Sequence, residues 1–150
     1  MDNSQSAPII IGKLMNIGGM LHRLGNRMLM PFDLNHQQYS VFFEIGKAGK
    51  VRQKDMVNRL LLEKAHVSKI VKKLHKMDLI TVTQSDDDKR SYWLSPTPKG
   101  KQTLKECGKL FGEWNREWAD SIDEKQISSA LENLTHLQDV FRDQIQPDNM

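Results

Sequence analysis

The chain has 150 residues, of which 38% are hydrophobic and 27% charged, enough for one compact domain and too apolar for a disordered chain. Its longest apolar stretch, around Ile9 to Ile11, is far below the roughly 18 residues of a membrane span, and the acidic start at Asp2 does not read as a secretory signal, so a cytoplasmic protein is expected. A single cysteine, Cys107, excludes an internal disulfide framework and a cysteine-rich metal site within one chain.

The net charge of +3 is unevenly spread. Residues 1–100 carry 16 basic against 9 acidic side chains, a net of +7, while residues 101–150 carry 6 against 10, a net of −4. Basic charge concentrates in residues 64–76, KAHVSKIVKKLHK, with five lysines, two histidines and no acid. A solvated helix face would show the same run, and only its context separates that reading from an anion-binding surface.

In chain order, Ile10, Leu14, Ile17, Leu21, Leu24 and Met28 form one stripe of a long helix expected to begin near Pro8 and end before Pro31. Gly18 and Gly19 interrupt it. Each weakens an exposed helix by about 1 kcal/mol relative to Ala, which points to close packing or to space beside the helix. A second helix is predicted over Asn35 to Lys47, with Asn35 as a cap, Tyr39, Phe42, Phe43 and Ile45 as apolar positions, and Gly46 and Gly49 at its end. Two short helical patterns follow, Gln53 to Leu61 and Lys64 to Met77, separated by a few residues; this is the outline of a helix-turn-helix. Ile80 to Gln84 alternates like a strand, Tyr92 to Leu94 offers a second, and the intervening SDDDKR makes a charged hairpin tip. Beyond Pro96 and Pro98, a long helix is expected from Lys101 to Ala119, with Leu104, Cys107, Leu110, Phe111, Trp114 and Trp118 as its apolar positions. A last helix starts at Ser121 or Asp123, where Ser121 and Glu124 have capping-box spacing, and carries Ile127, Leu131, Leu134, Leu137 and Phe141. The expected fold is mainly α with a small β-hairpin wing.

Along the helix Lys64 to Met77, a turn of 100° per residue puts Val67, Ile70, Val71, Leu74 and Met77 on one face and Ala65, Ser68, Lys69, Lys72 and Lys76 on the other. Lys64 opens the helix, and the small Ala65 and Ser68 allow close approach to a partner. His66, Ser68 and Lys69 can reach base edges in a major groove, whereas Lys72, Lys73 and Lys76 suit phosphates. Lys89 and Arg90 at the hairpin tip suit an adjacent minor groove. Asp86, Asp87 and Asp88 beside them would repel phosphate unless some are paired. One resolution is that Asp88 accepts a hydrogen bond from Arg90 and fixes its guanidinium; the other is that all three are solvated loop residues.

The stretch Gln53 to Gly100, QKDMVNRLLLEKAHVSKIVKKLHKMDLITVTQSDDDKRSYWLSPTPKG, resembles the DNA-binding core of the MarR (multiple antibiotic resistance regulator) family, including Asp88, Lys89 and Arg90 at the wing and Thr97 with Gly100 at the start of the next helix. The flanking helices agree in number and order, so the resemblance covers nearly the whole chain. Two positions depart from the family pattern: Asp78 stands where glycine is usual and Pro96 where leucine is usual. Asp tolerates a left-handed backbone better than most residues, and Pro96 bears on how the wing leads into the following helix.

The resemblance implies a repressor that binds palindromic double-stranded DNA as a homodimer. Residues 8–31 and 101–145 would form a helical dimerisation lobe and residues 35–100 a winged helix-turn-helix lobe, the protein residing in the bacterial cytoplasm and with the nucleoid when bound. It also implies release by a small aromatic or anionic effector, with His22, Tyr39 and Phe43 at family-like pocket positions and Trp114 as a further candidate. Aromatic residues at helical spacing are as readily plain core. Cys107 among apolar neighbours reads as an inert core thiol.

An enzyme is the first rival. Residues 46–50, GKAGK, imitate a phosphate-binding loop but lack the GxxxxGK[ST] spacing and have Val51 where the hydroxyl residue belongs. His22, His36, His66, His75 and His136 show no metal-ligand spacing, and there is no GxSxG elbow. No catalytic residue, metal or cofactor is expected. The second rival is a protein-binding adaptor that keeps the winged fold without reading DNA, which would lack the basic residues this chain retains on its second helix and wing.

Overall fold

The structure, a computed structural model, describes residues 2–145. Its elements are α1 (Asn3–Leu29), a 3₁₀ turn (Met30–Phe32), α2 (His36–Ala48), β1 (Val51–Arg52), α3 (Gln53–Leu60), α4 (Lys64–Lys76), β2 (Ile80–Gln84), β3 (Tyr92–Pro96), α5 (Pro98–Asp120) and α6 (Glu124–Ile145). This is the mainly helical architecture with a β wing that the hydrophobic periodicity predicts.

Helix α1 starts earlier than the position of Pro8 suggests. Asp2 accepts from the Gln5 backbone N–H at 2.9 Å, and the Gln5 side chain accepts from the Asp2 N–H at 3.3 Å. This reciprocal cap satisfies two end donors and carries the helix through Pro8, whose missing N–H leaves only the exposed Ser4 carbonyl without its helical partner. Asn35 and Gln38 build the same box at the start of α2, with bonds of 2.8 and 2.9 Å. At the other end of α2, Gly49 takes φ 74°, a conformation that favours glycine, and its N–H caps the Ile45 carbonyl at 3.0 Å.

The chain then enters β1, a strand of two residues that has no periodicity to reveal it in the sequence. It converts the expected hairpin into a three-stranded antiparallel sheet of order β1-β3-β2, in which Leu94 pairs with both Val51 and Val82. Pro96 ends β3 opposite Ile80 and does not disturb the pairing. Leu94 is fully buried with Leu29, Phe42, Ile45, Met56, Val67, Leu74 and Cys107, and each large side chain so placed contributes about 1.5–3 kcal/mol. Burial pushes the Cys107 thiol up to about 11, with the charge of Glu106 adding to the effect. It is a core thiol held in its unreactive form.

The turn from α4 into β2 is fastened to the start of α5. Asp78 takes φ 58°, the left-handed conformation expected where the family pattern has glycine. The Thr97 hydroxyl donates to the Asp78 carbonyl at 2.6 Å and accepts from the Gly100 N–H at 2.9 Å. Thr97 thereby caps α5, which begins with Pro98 in its first turn, ahead of the expected Lys101. Lys99 Nζ reaches the Met77 carbonyl at 2.9 Å. Gly100 lies directly against the Leu79 carbonyl, where a Cβ has no room.

The chain divides into two compact units between Gly108 and Lys109, within α5. In the second, Asp123 accepts from the Lys125 N–H at 2.9 Å, while the Ser121 hydroxyl donates back to the Trp118 carbonyl at 2.6 Å. The cap of α6 is therefore Asp123, and Ser121 takes no part in it. No described residue of 109–145 is buried, and Leu131 is 67% exposed. Helix α1 likewise leaves Ile10, Ile17 and Leu21 open, and nothing lies within 4 Å of a Cβ built at Gly18 or Gly19. Gly18 and Gly19 therefore do not serve close packing among the described residues, whereas the buried Gly25 lies against the His36 ring.

Gly100→Ala is expected to destabilise the protein by about 1–3 kcal/mol, since the backbone carbonyl it meets cannot rotate away as a side chain would. Gly108→Ala, which meets nothing within 4 Å, is expected to be neutral or to gain up to about 1 kcal/mol. Urea midpoints of the two variants measure the contrast; equal midpoints would contradict it.

Candidate nucleic-acid interface

Helix α3 ends at Leu61, which takes φ 52°, and three residues later α4 begins. Val67, Ile70, Val71 and Leu74 of α4 are buried, whereas Lys64, Ala65, His66, Lys69, Lys72 and Lys76 are exposed and Ser68 is half-buried. The helix is thus held by one face and bare on the other. No side chain caps its N-terminus, so its first N–H groups point out beside Lys64 and Ala65.

The wing tip is shaped by Asp88. Its carboxylate accepts from the Arg90 backbone N–H at 2.9 Å and from the Ser91 hydroxyl at 3.3 Å. The bond expected to the Arg90 guanidinium falls instead on the Arg90 main chain, because a carboxylate two residues back closes naturally on the backbone as an Asx turn. Ser85 and Ser91 close the loop through a 2.9 Å backbone bond, and the Gln84 amide donates to the Lys89 carbonyl. One of the three acids therefore builds the turn. Asp86 and Asp87 are exposed.

The cations of residues 35–100 fall into two groups. Lys50 and Arg52 lie over the Trp93 ring, 4.9 and 4.8 Å from its centre. Lys99 is tied to Met77, Arg59 approaches Glu44 at 4.0 Å, and Lys73 donates to the Asp33 carbonyl at 3.0 Å and to Gln38 Oε1 at 3.3 Å. In contrast, the charged heads of Lys54, Lys64, Lys69, Lys72, Lys76, Lys89 and Arg90 engage no hydrogen bond or ion pair among the described residues. These uncommitted charges lie on α3, on the bare face of α4 and at the wing tip. Lys73 alone among the lysines expected at phosphates is engaged within the chain.

Helix and wing share a groove lined by Gln53, Lys54 and Asn58 of α3, Lys64 and Ser68 of α4, and Asp88, Arg90 and Tyr92 of the wing. The sequence reading omits Gln53, Lys54, Asn58 and Tyr92. Lys54 and Asn58 are four residues apart on the polar side of a short amphipathic helix; Tyr92 shares a face of β3 with the buried Leu94 by parity, but is exposed at the start of the strand.

The residues expected at an effector pocket form ring pairs. His22, exposed on α1, meets His36 with centroids 5.2 Å apart, and Tyr39 meets Phe43 at 5.9 Å. Trp114 belongs to the second unit and pairs with Trp118 at 6.3 Å. Burial pushes the Tyr39 hydroxyl up to about 12. His36 Nδ1 is buried without a partner, and burial, with the neighbouring His22 adding, holds the His36 pKa below its ordinary value. Among the described residues no group of three His, Cys, Asp or Glu side chains is placed to hold a metal ion, and no helix is long and apolar enough to cross a membrane.

The MarR family profile matches residues 34–92, which span α2 through the wing. The transcriptional regulator SarZ of Staphylococcus saprophyticus is 30% identical over 116 residues, covering 75% of this chain and 80% of that protein. The chain belongs to the MarR family. Its fold matches that of the regulator BldR from Sulfolobus solfataricus, with a TM-score of 0.82 at 18% identity over 93% of this chain and 99% of the other. It also matches a mutant of E. coli MarR complexed with operator DNA, with a TM-score of 0.77 at 19% identity over 91% and 99% of the two chains. The winged helix-turn-helix of this MarR-family protein carries the seven uncommitted cations of α3, α4 and the wing.

The depressed pKa of His36 links stability to pH. An unfolded imidazole binds its proton near about 6.5, while the folded one binds it only at lower pH. Between those values the unfolded state holds the extra proton, so stability falls as pH drops below about 7. His36→Gln is expected to flatten that decline in unfolding free energy between about pH 7.5 and 5.5; a decline as steep as the parent's would show that His36 is not its source.

Proposed function

We propose that this MarR-family DNA-binding transcriptional regulator is a repressor that binds a palindromic operator as a homodimer in the bacterial cytoplasm, at the nucleoid, and that it has no catalytic activity of its own. The observation that carries the reading is the sorting of charge within residues 35–100: some cations there are engaged within the chain, and the seven left over lie on the bare face of α4, on α3 and at the wing. Keeping seven cationic heads unpaired on adjoining elements favours a polyanion. Ala65, His66, Ser68 and Lys69 face base edges, Lys64, Lys72 and Lys76 face phosphates, and Lys89 and Arg90 reach the minor groove around the turn that Asp88 sets.

The homodimer is supported by the apolar residues that α1 and α6 each leave open; exposed apolar stripes on helices favour an interface. Residues 8–31 and 101–145 would form it and residues 35–100 the DNA-reading lobe. The net −4 of residues 101–150 suits contact with protein better than contact with DNA.

Titration against duplex DNA at several salt concentrations, with sedimentation of the same sample, tests the reading. A dimer with a steep salt slope and a preference for selected genomic fragments is expected; a monomer, or binding without sequence preference, contradicts it. Arg90→Ala is expected to weaken specific binding by about 1–3 kcal/mol, and Lys72→Ala to weaken all duplexes alike and reduce the salt slope by about one.

The ring pairs at α1 and α2 support an effector site for a small aromatic carboxylate, with Tyr39 and Phe43 against its ring and His22 at its charge; Trp114, in the second unit, is a separate candidate. Such a ligand lowers DNA affinity only by binding the DNA-incompetent dimer more tightly. Calorimetry with salicylate at millimolar concentration is expected to show modest binding that His22→Ala reduces. Absence of heat, or an unaltered response in the variant, removes the effector from the reading.

A further inference from the structure

Lys73 stands apart from its neighbours on α4. Its Nζ donates to the Asp33 carbonyl at 3.0 Å and to Gln38 Oε1 at 3.3 Å, and lies 3.9 Å from the Asp33 carboxylate. Gln38 is itself fixed, because the same Oε1 accepts from the Asn35 N–H in the cap of α2. Asp33 is fixed as well: it closes the 3₁₀ turn with φ 55°, and its N–H bonds the Met30 carbonyl at 3.0 Å. The next peptide joins this corner to α1, since the His36 N–H donates to Asn26 Oδ1 at 2.7 Å. Lys73 therefore fastens the C-terminal half of the recognition helix to the corner between α1 and α2.

The same geometry disfavours a phosphate at this ammonium. Two of its three donor directions are taken, and a phosphate oxygen approaching it would face the Asp33 carboxylate, whose side chain is 87% exposed. Lys72 and Lys76 line the same depression beside Asp33 without such partners. The reading residues Ser68 and Ala65 lie five and eight positions N-terminal to Lys73, about 7.5 and 12 Å along the axis. A helix held at this point by two hydrogen bonds has its roll and tilt set there, and the small side chains that approach base edges move with it.

We propose that Lys73 is a positioning residue for sequence-specific DNA reading, a latch between α4 and the α1–α2 corner, and not a phosphate contact. This rests on the reading of the protein as a DNA-binding regulator. It separates two quantities that phosphate contacts change together: discrimination between sequences depends on the latch, and the salt slope does not.

The test uses the full-length protein, a duplex selected from a random pool by the parent, and a scrambled duplex of equal length and composition. Lys73→Met keeps the aliphatic stem and removes the donors. It is expected to lower affinity for the selected duplex about tenfold, to change affinity for the scrambled duplex less than twofold, and to leave the salt slope unaltered. Lys73→Arg, which can still donate to both oxygens, is expected to restore most of the discrimination. A poorly folded variant would instead lose both affinities together, which thermal melting identifies. Gln38→Glu covers that case, because it keeps the cap of α2 and strengthens the acceptor: the latch predicts undiminished discrimination and salt slope. If Lys73 contacts phosphate, Gln38→Glu draws the ammonium away and lowers both affinities and the slope. That result, or a slope reduced by about one in Lys73→Met with equal losses on both duplexes, overturns the proposal. A parent protein that binds neither duplex overturns the regulator reading and the latch with it, and the parent titration distinguishes this from failure of the latch alone.

Discussion

Helix α4 must be gripped by one face while the other is left bare for a partner, and most of the winged unit is arranged around that requirement. A 13-residue helix is too short to be stable alone in water, and its exposed side repels itself through Lys64, Lys69, Lys72 and Lys76. Burial of Val67, Ile70, Val71 and Leu74 supplies the opposing term, at about 1.5–3 kcal/mol for each side chain. The partners of that face are α2, α3 and the first strand of the wing, which explains why Phe42, Ile45, Met56 and Ile80 are among the most deeply buried residues. The core exists where it does because the bare face of α4 cannot contribute to it.

Apolar packing alone leaves a helix free to roll, and polar contacts at its C-terminal end remove that freedom. On one side Lys73 meets the Asp33 turn and the cap of α2. On the other, the Asp78 and Met77 carbonyls are held by Thr97 and Lys99, and Gly100 lets α5 approach to backbone contact with Leu79. The N-terminal end, where the side chains that face a partner are smallest, has no side-chain cap. Rigidity is placed at the C-terminal end of α4, and donor groups are left open at its N-terminal end.

Much of this was legible in the sequence. The period of 3.6 in residues 64–77 picks out the four buried side chains of α4, and on the face it leaves outside only Ser68 is half-buried, since a helix with so regular a stripe has only one face to bury. Asn35 and Gly49 mark the ends of α2 through capping chemistry that acts within a few residues. What could not be read depends on distant partners or on very short elements. Strand β1 is two residues long and is defined by pairing with Trp93 and Leu94. Lys73 looks like its neighbours until Asp33 and Gln38, 40 and 35 residues away in the chain, are brought to it. Pro8 misplaced the start of α1, because a capping box at Asp2 and Gln5 outweighs one lost hydrogen bond near a solvated end.

The division of charge also bears on how a single polyanion is distinguished from the protein's own acids. The wing holds Asp86, Asp87 and Asp88 beside Lys89 and Arg90, and a plain count of charge would predict little attraction for DNA there. Asp88 spends its carboxylate on the Arg90 N–H and the Ser91 hydroxyl, so it shapes the turn with both oxygens facing inward donors. The Arg90 side chain remains unpaired, and a guanidinium in that state presents its full fork of donors to an acceptor from outside. Had Asp88 paired with the guanidinium instead, any minor-groove contact would first have had to break that pair. Backbone capping by the acid is therefore the arrangement that lets one short loop contain both signs of charge and still offer the positive one.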